Sequence, residues 1–309
     1  MNNLKEKIIF YLLIFFIFIL LLLILINNNI ENFSNIKVIQ FNPHYQCFTN
    51  STNCCLNKFN SWLSSKKNYD FINVCMLETD KLNLPNNMKI IKPISNCGHD
   101  TSSIIYNSSN WKPIGNLIEF CLSPKPDRIC LIQKFVSKKN NKIVYIISAH
   151  FPHPYDVKLK IICDNIKTKL IENNINIILD NIIILADTNL DDSNRNNMLK
   201  YNFNNFKITD NDRTCCFQDT CWEGSSLCEN QGCPCNPNPN LLKHSYDIIA
   251  CNFSKIKYKS ISKQYNDFIN NTDIGKLAYK NTLDNYKGNT ITCDTTEMHL
   301  PIEGIVTMK

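Results

Sequence analysis

The sequence predicts a mixed α/β domain behind one membrane-spanning helix. Three observations carry this. Short runs rich in Ile and Val recur along the chain and stop at polar or titratable residues, as buried strands do on reaching a sheet's rim. Between them lie segments with apolar residues three and four apart, the period of an amphipathic helix. Residues 8–26 are nineteen consecutive apolar residues without a charge.

The apolar segment comes first. At ~1.5 Å per residue it covers about the ~30 Å of a bilayer core. A signal peptide's apolar core is shorter, roughly 7–15 residues, and small residues follow it; here Asn27, Asn28 and Asn29 follow. An uncleaved anchor is therefore the reading, with a cleaved signal as the alternative. Lys5 and Lys7 precede the span and no basic residue follows until Lys37. The positive-inside rule then makes residues 1–7 cytosolic and the body luminal or extracellular. Residues 27–35 form a polar linker, and residues 36–309 one domain.

Ile36–Phe41 is the first expected strand, ended by Pro43. Leu56, Phe59, Trp62 and Leu63 mark a short helix. Phe71–Leu77 is a strand with Glu78 at its end. Ser102–Tyr106, Ile118–Leu122, Ile129–Val136 and Ile143–Ser148 follow, the last two joined by a basic turn over 137–142, with His150 just beyond. Val157–Asn173 has helical spacing. Ile182–Asp187 is an apolar run ending at an acid, with Asn189 two residues on; alternation puts both side chains on one face, and a plain turn is the rival reading. Tyr246–Cys251 is a strand with Asp247 at its start, Ser260–Tyr279 is partly helical, and a last strand runs to Val306 after His299. Strands outnumber helices and no repeat is found, so the body is a single core of roughly 270 residues.

Composition narrows the class. Of 309 residues, 44% are hydrophobic and 19% charged, a globular balance, and the net charge of +6 permits a polyanionic partner without requiring one. Lysines are scattered rather than gathered in the dense stripe of a strong duplex binder. Sixteen cysteines, all after residue 46, suit an oxidising compartment. Six of them fall in residues 215–235, with spacing too irregular for paired zinc ligands, so a disulfide loop is expected. Glycosylation sequons occur at Asn32, Asn50, Asn107, Asn252 and Asn270.

One pattern points to chemistry. Asn42, Glu78, His150, Asp187 with Asn189, Asp247 and His299 all sit at or near strand ends, which suggests one shared face. The set suits phosphoester cleavage. A carboxylate such as Glu78 is a hard ligand for Mg²⁺. A histidine held by an acid can take a proton from water. Amides and a second histidine can polarise phosphate oxygens.

The order Phe41-Asn42, Leu77-Glu78, Ala149-His150, Leu185-Ala186-Asp187-Thr188-Asn189, Tyr246-Asp247 and His299-Leu300-Pro301 resembles the endonuclease/exonuclease/phosphatase superfamily, the DNase I-like fold, over residues 36–306. The resemblance implies a four-layered α/β sandwich of two packed mixed sheets flanked by helices. It implies that Glu78 and Asn42 bind Mg²⁺ or Mn²⁺. It makes His299 the general base, oriented by Asp247, and gives His150 and Asn189 to the phosphate and Asp187 to the nucleophile or metal. The substrate would be a phosphodiester or phosphomonoester in nucleic acid, a phospholipid head group or a small phosphate. A sphingomyelinase-like enzyme or inositol-phosphate phosphatase is the alternative. One position departs from the pattern: Met298 stands where the family usually has Asp, with Glu297 and Asp294 as candidate substitutes. A catalytically impaired binding glycoprotein therefore stays open. His44 is read as a possible site neighbour, and His153 and His244 as surface and loop.

Overall fold

Strand β8 (Ile182–Asp187) is buried along its whole length, and its two faces serve different cores. Ile183 and Leu185 join one apolar cluster; Ile182, Ile184 and Ala186 join another. A strand covered on both sides reads as an unbroken apolar run, which is why this stretch dominates the sequence.

This computed structural model describes residues 14–20, 34–49, 52–94, 101–123, 128–153, 158–190, 197–198, 201–209, 214–217, 244–253, 256–286, 288–291 and 293–308. Two compact units emerge, Met1–Ser34 with Lys309, and Asn35–Met308. In the first, residues 14–20 are helical and exposed. The rest of the expected span 8–26 lies outside the described residues, and among the described residues no helix is long and apolar enough to cross a membrane.

Among its described residues, the second unit holds two six-stranded sheets. The first contains β1 (Ser34–Phe41), β2 (Phe71–Cys75), β3 (Met88–Ile91), β4 (Ser102–Asn107), β11 (Ile256–Tyr258) and β12 (Ile302–Met308), in the order β11-β12-β1-β2-β4-β3. The second contains β5 (Trp111–Cys121), β6 (Ile129–Ser137), β7 (Ile143–His150), β8, β9 (Lys207–Ile208) and β10 (Asp247–Cys251), in the order β5-β6-β7-β8-β10-β9. Each has a parallel pair at its centre, β1 with β2 and β7 with β8; β4 runs antiparallel to β2, and β6 and β10 run antiparallel to β7 and β8. Leu131, Phe135 and Ile146 of the second sheet share a core with Val74 and Ile104 of the first.

Helices close the outer faces. Leu56, Phe59, Trp62 and Leu63 of helix Cys54–Ser65, with Ile274 and Ala278 of helix Asp273–Tyr286, cover the first sheet. Ile162, Cys163, Ile166 and Leu170 of helix Leu159–Glu172 cover the second. The expected sandwich is thus observed, and most expected strands recur within one to three residues. The exception is β5, which begins at Trp111 rather than near Ile118. Its register against β6 shifts between Ile114 and Ile118. Gly115, with φ of 71°, supplies the left-handed residue such a bulge needs, and the break hides the strand's first half from a search for alternation.

Disulfides join Cys47 to Cys55, Cys54 to Cys293 and Cys215 to Cys216, while Cys75, Cys130, Cys163 and Cys251 are buried free thiols. Cys221, Trp222, Cys228, Cys233 and Cys235 of the expected Cys-rich loop lie outside the described residues, as do Asn32 and Asn50. Two other sequon amides are engaged inside the fold: Asn107 Nδ2 donates to Lys67 O at 3.2 Å, and Asn252 Nδ2 to Ile177 O at 2.8 Å. Asn270 is exposed.

Candidate active site

Three neighbouring strands place three titratable residues in a row. Cα register pairs His150 of β7 with Asp187 of β8, and Asp187 with Asp247 of β10. Alternation fixes their direction. Asp187 continues the face of Ile183 and Leu185, and Asp247 that of Ile249 and Cys251, all members of the core between the sheets. The three therefore face the other sheet, which supplies Asn42 just after β1 and His299 three residues before β12.

His299 Nδ1 lies 2.7 Å from Asp247 Oδ2 and 3.6 Å from Asp187 Oδ2. Asp247 is itself held on every side. Gln40 Nε2 donates to its Oδ1 at 2.9 Å, and Thr214 Oγ1 donates to its Oδ2 at 2.6 Å. Burial pulls the His299 pKa down, but the charges of Asp247 and then Asp187, with the Asp247 hydrogen bond, raise it to about 9. With Nδ1 on the carboxylate, Nε2 is the ring nitrogen left for a water or substrate.

His150 has a different partner. Arg128 Nη1 lies 2.8 Å from its Nδ1 and 3.1 Å from its Nε2. A guanidinium only donates, so the facing ring nitrogen must be unprotonated. Burial is the main cause of a pKa lowered to about 3; Asp187, with Oδ2 at 3.5 Å from Nε2, opposes it, and Arg128 and His299 add to it.

Asp187 links the two halves. Asn42 Nδ2 donates to its Oδ2 at 2.7 Å, and the Asn189 N–H donates to its Oδ1 at 3.0 Å. Asn189 does not continue the strand's alternation. Its φ is 51°, and its Nδ2 donates to Phe151 O at 2.8 Å. Turn and site are thus both present at 187–189.

The geometry gathers Asn42, His150, Asp187, Asn189, Asp247 and His299. Glu78 follows β2 by three residues and lines a cleft of 540 Å³ with Thr79, Lys92, Thr101 and Ser103. Ligand atoms of Asp187, Asp247 and His299 lie within 4.8 Å of one another, so two carboxylates and an imidazole meet the donor requirements of a divalent cation there. Asn42 Oδ1 is a further oxygen, already accepting the His44 N–H at 2.9 Å.

Met298 is wholly buried in the apolar core, so its thioether is packing rather than a ligand pointed at the site. Glu297 instead reaches His44 Nε2 at 2.7 Å, which holds its carboxyl below the usual range. Asp294 Oδ2 accepts from Gln46 Nε2 at 3.2 Å. His44 is thus a site neighbour, and His244 stacks on Tyr246 at 4.8 Å. His153 is half-buried and adds to the field lowering the His150 pKa, rather than lying on the open surface.

Several supporting residues escape a search of strand ends. Gln40, Asn73 and Ser148 are fully buried in strand interiors. Asn73 Nδ2 donates to Gln40 Oε1 at 2.5 Å, and Ser148 Oγ donates to Asn73 Oδ1 at 2.5 Å. A polar residue inside an apolar run was the available signal, since such a group needs a buried partner. Arg128, just before β6, and Thr214 gave none. Burial, then Asp187, pushes the Cys75 thiol beneath this network up to about 12, so it is no nucleophile near neutrality.

No protein-family model matches the sequence, and no curated protein matches it. Solved structures do match its fold. An endonuclease/exonuclease/phosphatase from Bacteroides vulgatus is 11% identical with a TM-score of 0.53, covering 89% of this chain and 100% of its own. The human Nocturnin catalytic domain with bound sulfate anion is 12% identical at 0.50, covering 90% and 97%. D. rerio TDP2 complexed with single strand DNA product is 11% identical at 0.50, covering 89% and 100%. The chain therefore has the endonuclease/exonuclease/phosphatase fold, as the order of its polar residues implied.

Proposed function

We propose that this chain is a divalent-metal-dependent phosphoester hydrolase, anchored in a membrane by residues 8–26 with residues 1–7 cytosolic and its catalytic domain luminal or extracellular. The buried Asp247–His299 pair, facing Asp187 and His150 across the junction of two sheets, is the observation that carries the reading. Asp247 holds Nδ1, so Nε2 of His299, in the unprotonated form that gains population as pH rises toward about 9, takes a proton from water as the water attacks phosphorus. Gln40 and Thr214 fix the carboxylate, so the ring meets its water in one orientation. Asn42 and Asn189 hold Asp187 in place. Arg128 supplies the permanent charge beside the phosphate, and His150 is kept neutral and able to hydrogen-bond it. Asp187, Glu78 and Asn42 would hold Mg²⁺ or Mn²⁺, which supplies Lewis-acid charge to the phosphate when bound.

The substrate is a phosphodiester or phosphomonoester. The sulfate in Nocturnin and the DNA product in TDP2 are those proteins' ligands; they support a phosphate-sized anion here. The apolar N-terminal segment favours a lipid head group, hence a sphingomyelinase-like enzyme or inositol-phosphate phosphatase as the alternative. Plasmid DNA, a chromogenic bis-phosphodiester, sphingomyelin and inositol phosphates should be screened with Mg²⁺ and Mn²⁺. At least one should be cleaved by the wild type and none by His299→Ala. Survival of all four would favour a binding module.

A further inference from the structure

Next to the proposed base lies a pair of cysteines that the hydrolytic reading does not use. Ligand atoms of Cys215, Cys216 and His299 lie within 4.8 Å of one another, and all three residues are buried. The pair is strapped to the site from both sides. Leu300 N–H donates to Thr214 O at 2.8 Å, and Phe217 N–H donates to Met298 O at 3.1 Å. Segments 214–217 and 298–300 thus run side by side, with the cysteines between the Asp247 partner Thr214 and the core residue Phe217. A bridge to His244 also holds Cys215 in place, through N–H to O bonds of 3.0 and 3.1 Å.

We propose that Cys215, Cys216 and His299 form a redox-gated site for a thiophilic divalent cation of the zinc class, whose occupation silences the hydrolase. Two thiolates and an imidazole are a soft donor set, unlike the carboxylates and amides around Asp187. In the oxidised state the two sulfurs are joined and offer no thiolate. A dithiol reductant breaks that bond with two electrons and two protons, and closes its own disulfide. The cation then displaces the two thiol protons to solvent and takes a nitrogen of His299, which removes the base from catalysis.

Only the silencing rests on the proposed function; binding does not. The experiment uses the full chain and Co²⁺, whose thiolate charge-transfer absorption reports the ligands directly. Reduced wild type should show this band, from one thiolate-bound ion that Zn²⁺ displaces. Oxidised wild type and Cys215→Ser/Cys216→Ser should not. Reduction also threatens Cys54–Cys293, so Cys216→Ser gives a second route. It frees Cys215 without reductant and should show a weaker, single-thiolate band. Zn²⁺ should inhibit the reduced wild type at concentrations at least about tenfold below those needed for the double variant, whose basal turnover is unchanged. A band of equal strength in the double variant would overturn the site, as would its absence from both reduced wild type and Cys216→Ser. Bands without phosphoester turnover in any form would leave the site standing and sink the hydrolase.

Discussion

His150 and His299 lie on opposite sheets, are both almost fully buried, and both approach Asp187 Oδ2, at 3.5 and 3.6 Å. Their nearest partners differ: Arg128 for one, Asp247 for the other. Burial alone would make both rings neutral. A carboxylate at 2.7 Å reverses that for His299, and a guanidinium at 2.8 Å reinforces it for His150. The neighbour, rather than the depth, assigns proton acceptor to one ring and neutral hydrogen-bonding partner to the other.

The comparison breaks most sharply at the base. His299→Ala should lower kcat by ~10²–10⁴-fold, read on whichever ester the screen identifies, while His150→Ala should lose less because Arg128 remains. Asp247→Asn comes next. It removes the largest of the charges that raise the His299 pKa, so in the metal-free protein that pKa should fall from about 9 toward the ordinary value of 6.5, followed by ring-proton titration in NMR. An unmoved titration would remove Asp247 as the cause.

Stability against pH sharpens the contrast, and the signs oppose. For His299 the folded pKa is raised, so its stabilisation is full below 6.5 and lost as pH rises through about 9. For His150 it is lowered, so its stabilisation is present above 6.5 and lost as pH falls toward about 3. Urea midpoints in EDTA should peak near pH 6.5; His299→Gln should flatten the alkaline limb and His150→Gln the acid limb. Arg128→Gln should act mainly on substrate affinity, raising KM roughly tenfold or more through loss of a charged hydrogen bond. The smallest effect is expected of Met298→Leu. A volume-conserving swap in the core should cost under about 1.5 kcal/mol and leave metal dependence unchanged; altered Mg²⁺ affinity would show that the thioether matters to the site.

The strand-end residues were legible because the signal is local. An apolar run that stops at Asp187 or His150, or starts at Asp247, exposes both the strand and its rim in a few letters, and period two fixes the face. That reasoning misplaced the Asn189 side chain, since a left-handed turn residue ends the alternation. It also left Met298 ambiguous, because sequence order cannot say whether a side chain faces the site or the core.

By itself the sequence determined a mixed α/β body, the chain order of its polar strand ends, whose resemblance to a known family implied the sandwich, and the residue types available for phosphate chemistry, because hydrophobic periodicity and chain order are properties of the string. Only the tertiary structure decided which partner each histidine meets. Arg128 reaches His150 across 22 positions, Asp247 reaches His299 across 52, and Gln40 reaches Asp247 across 207. The first forms when β6 pairs with β7, the other two when the two sheets pack face to face, and it is these neighbours' charges that set the two histidines apart.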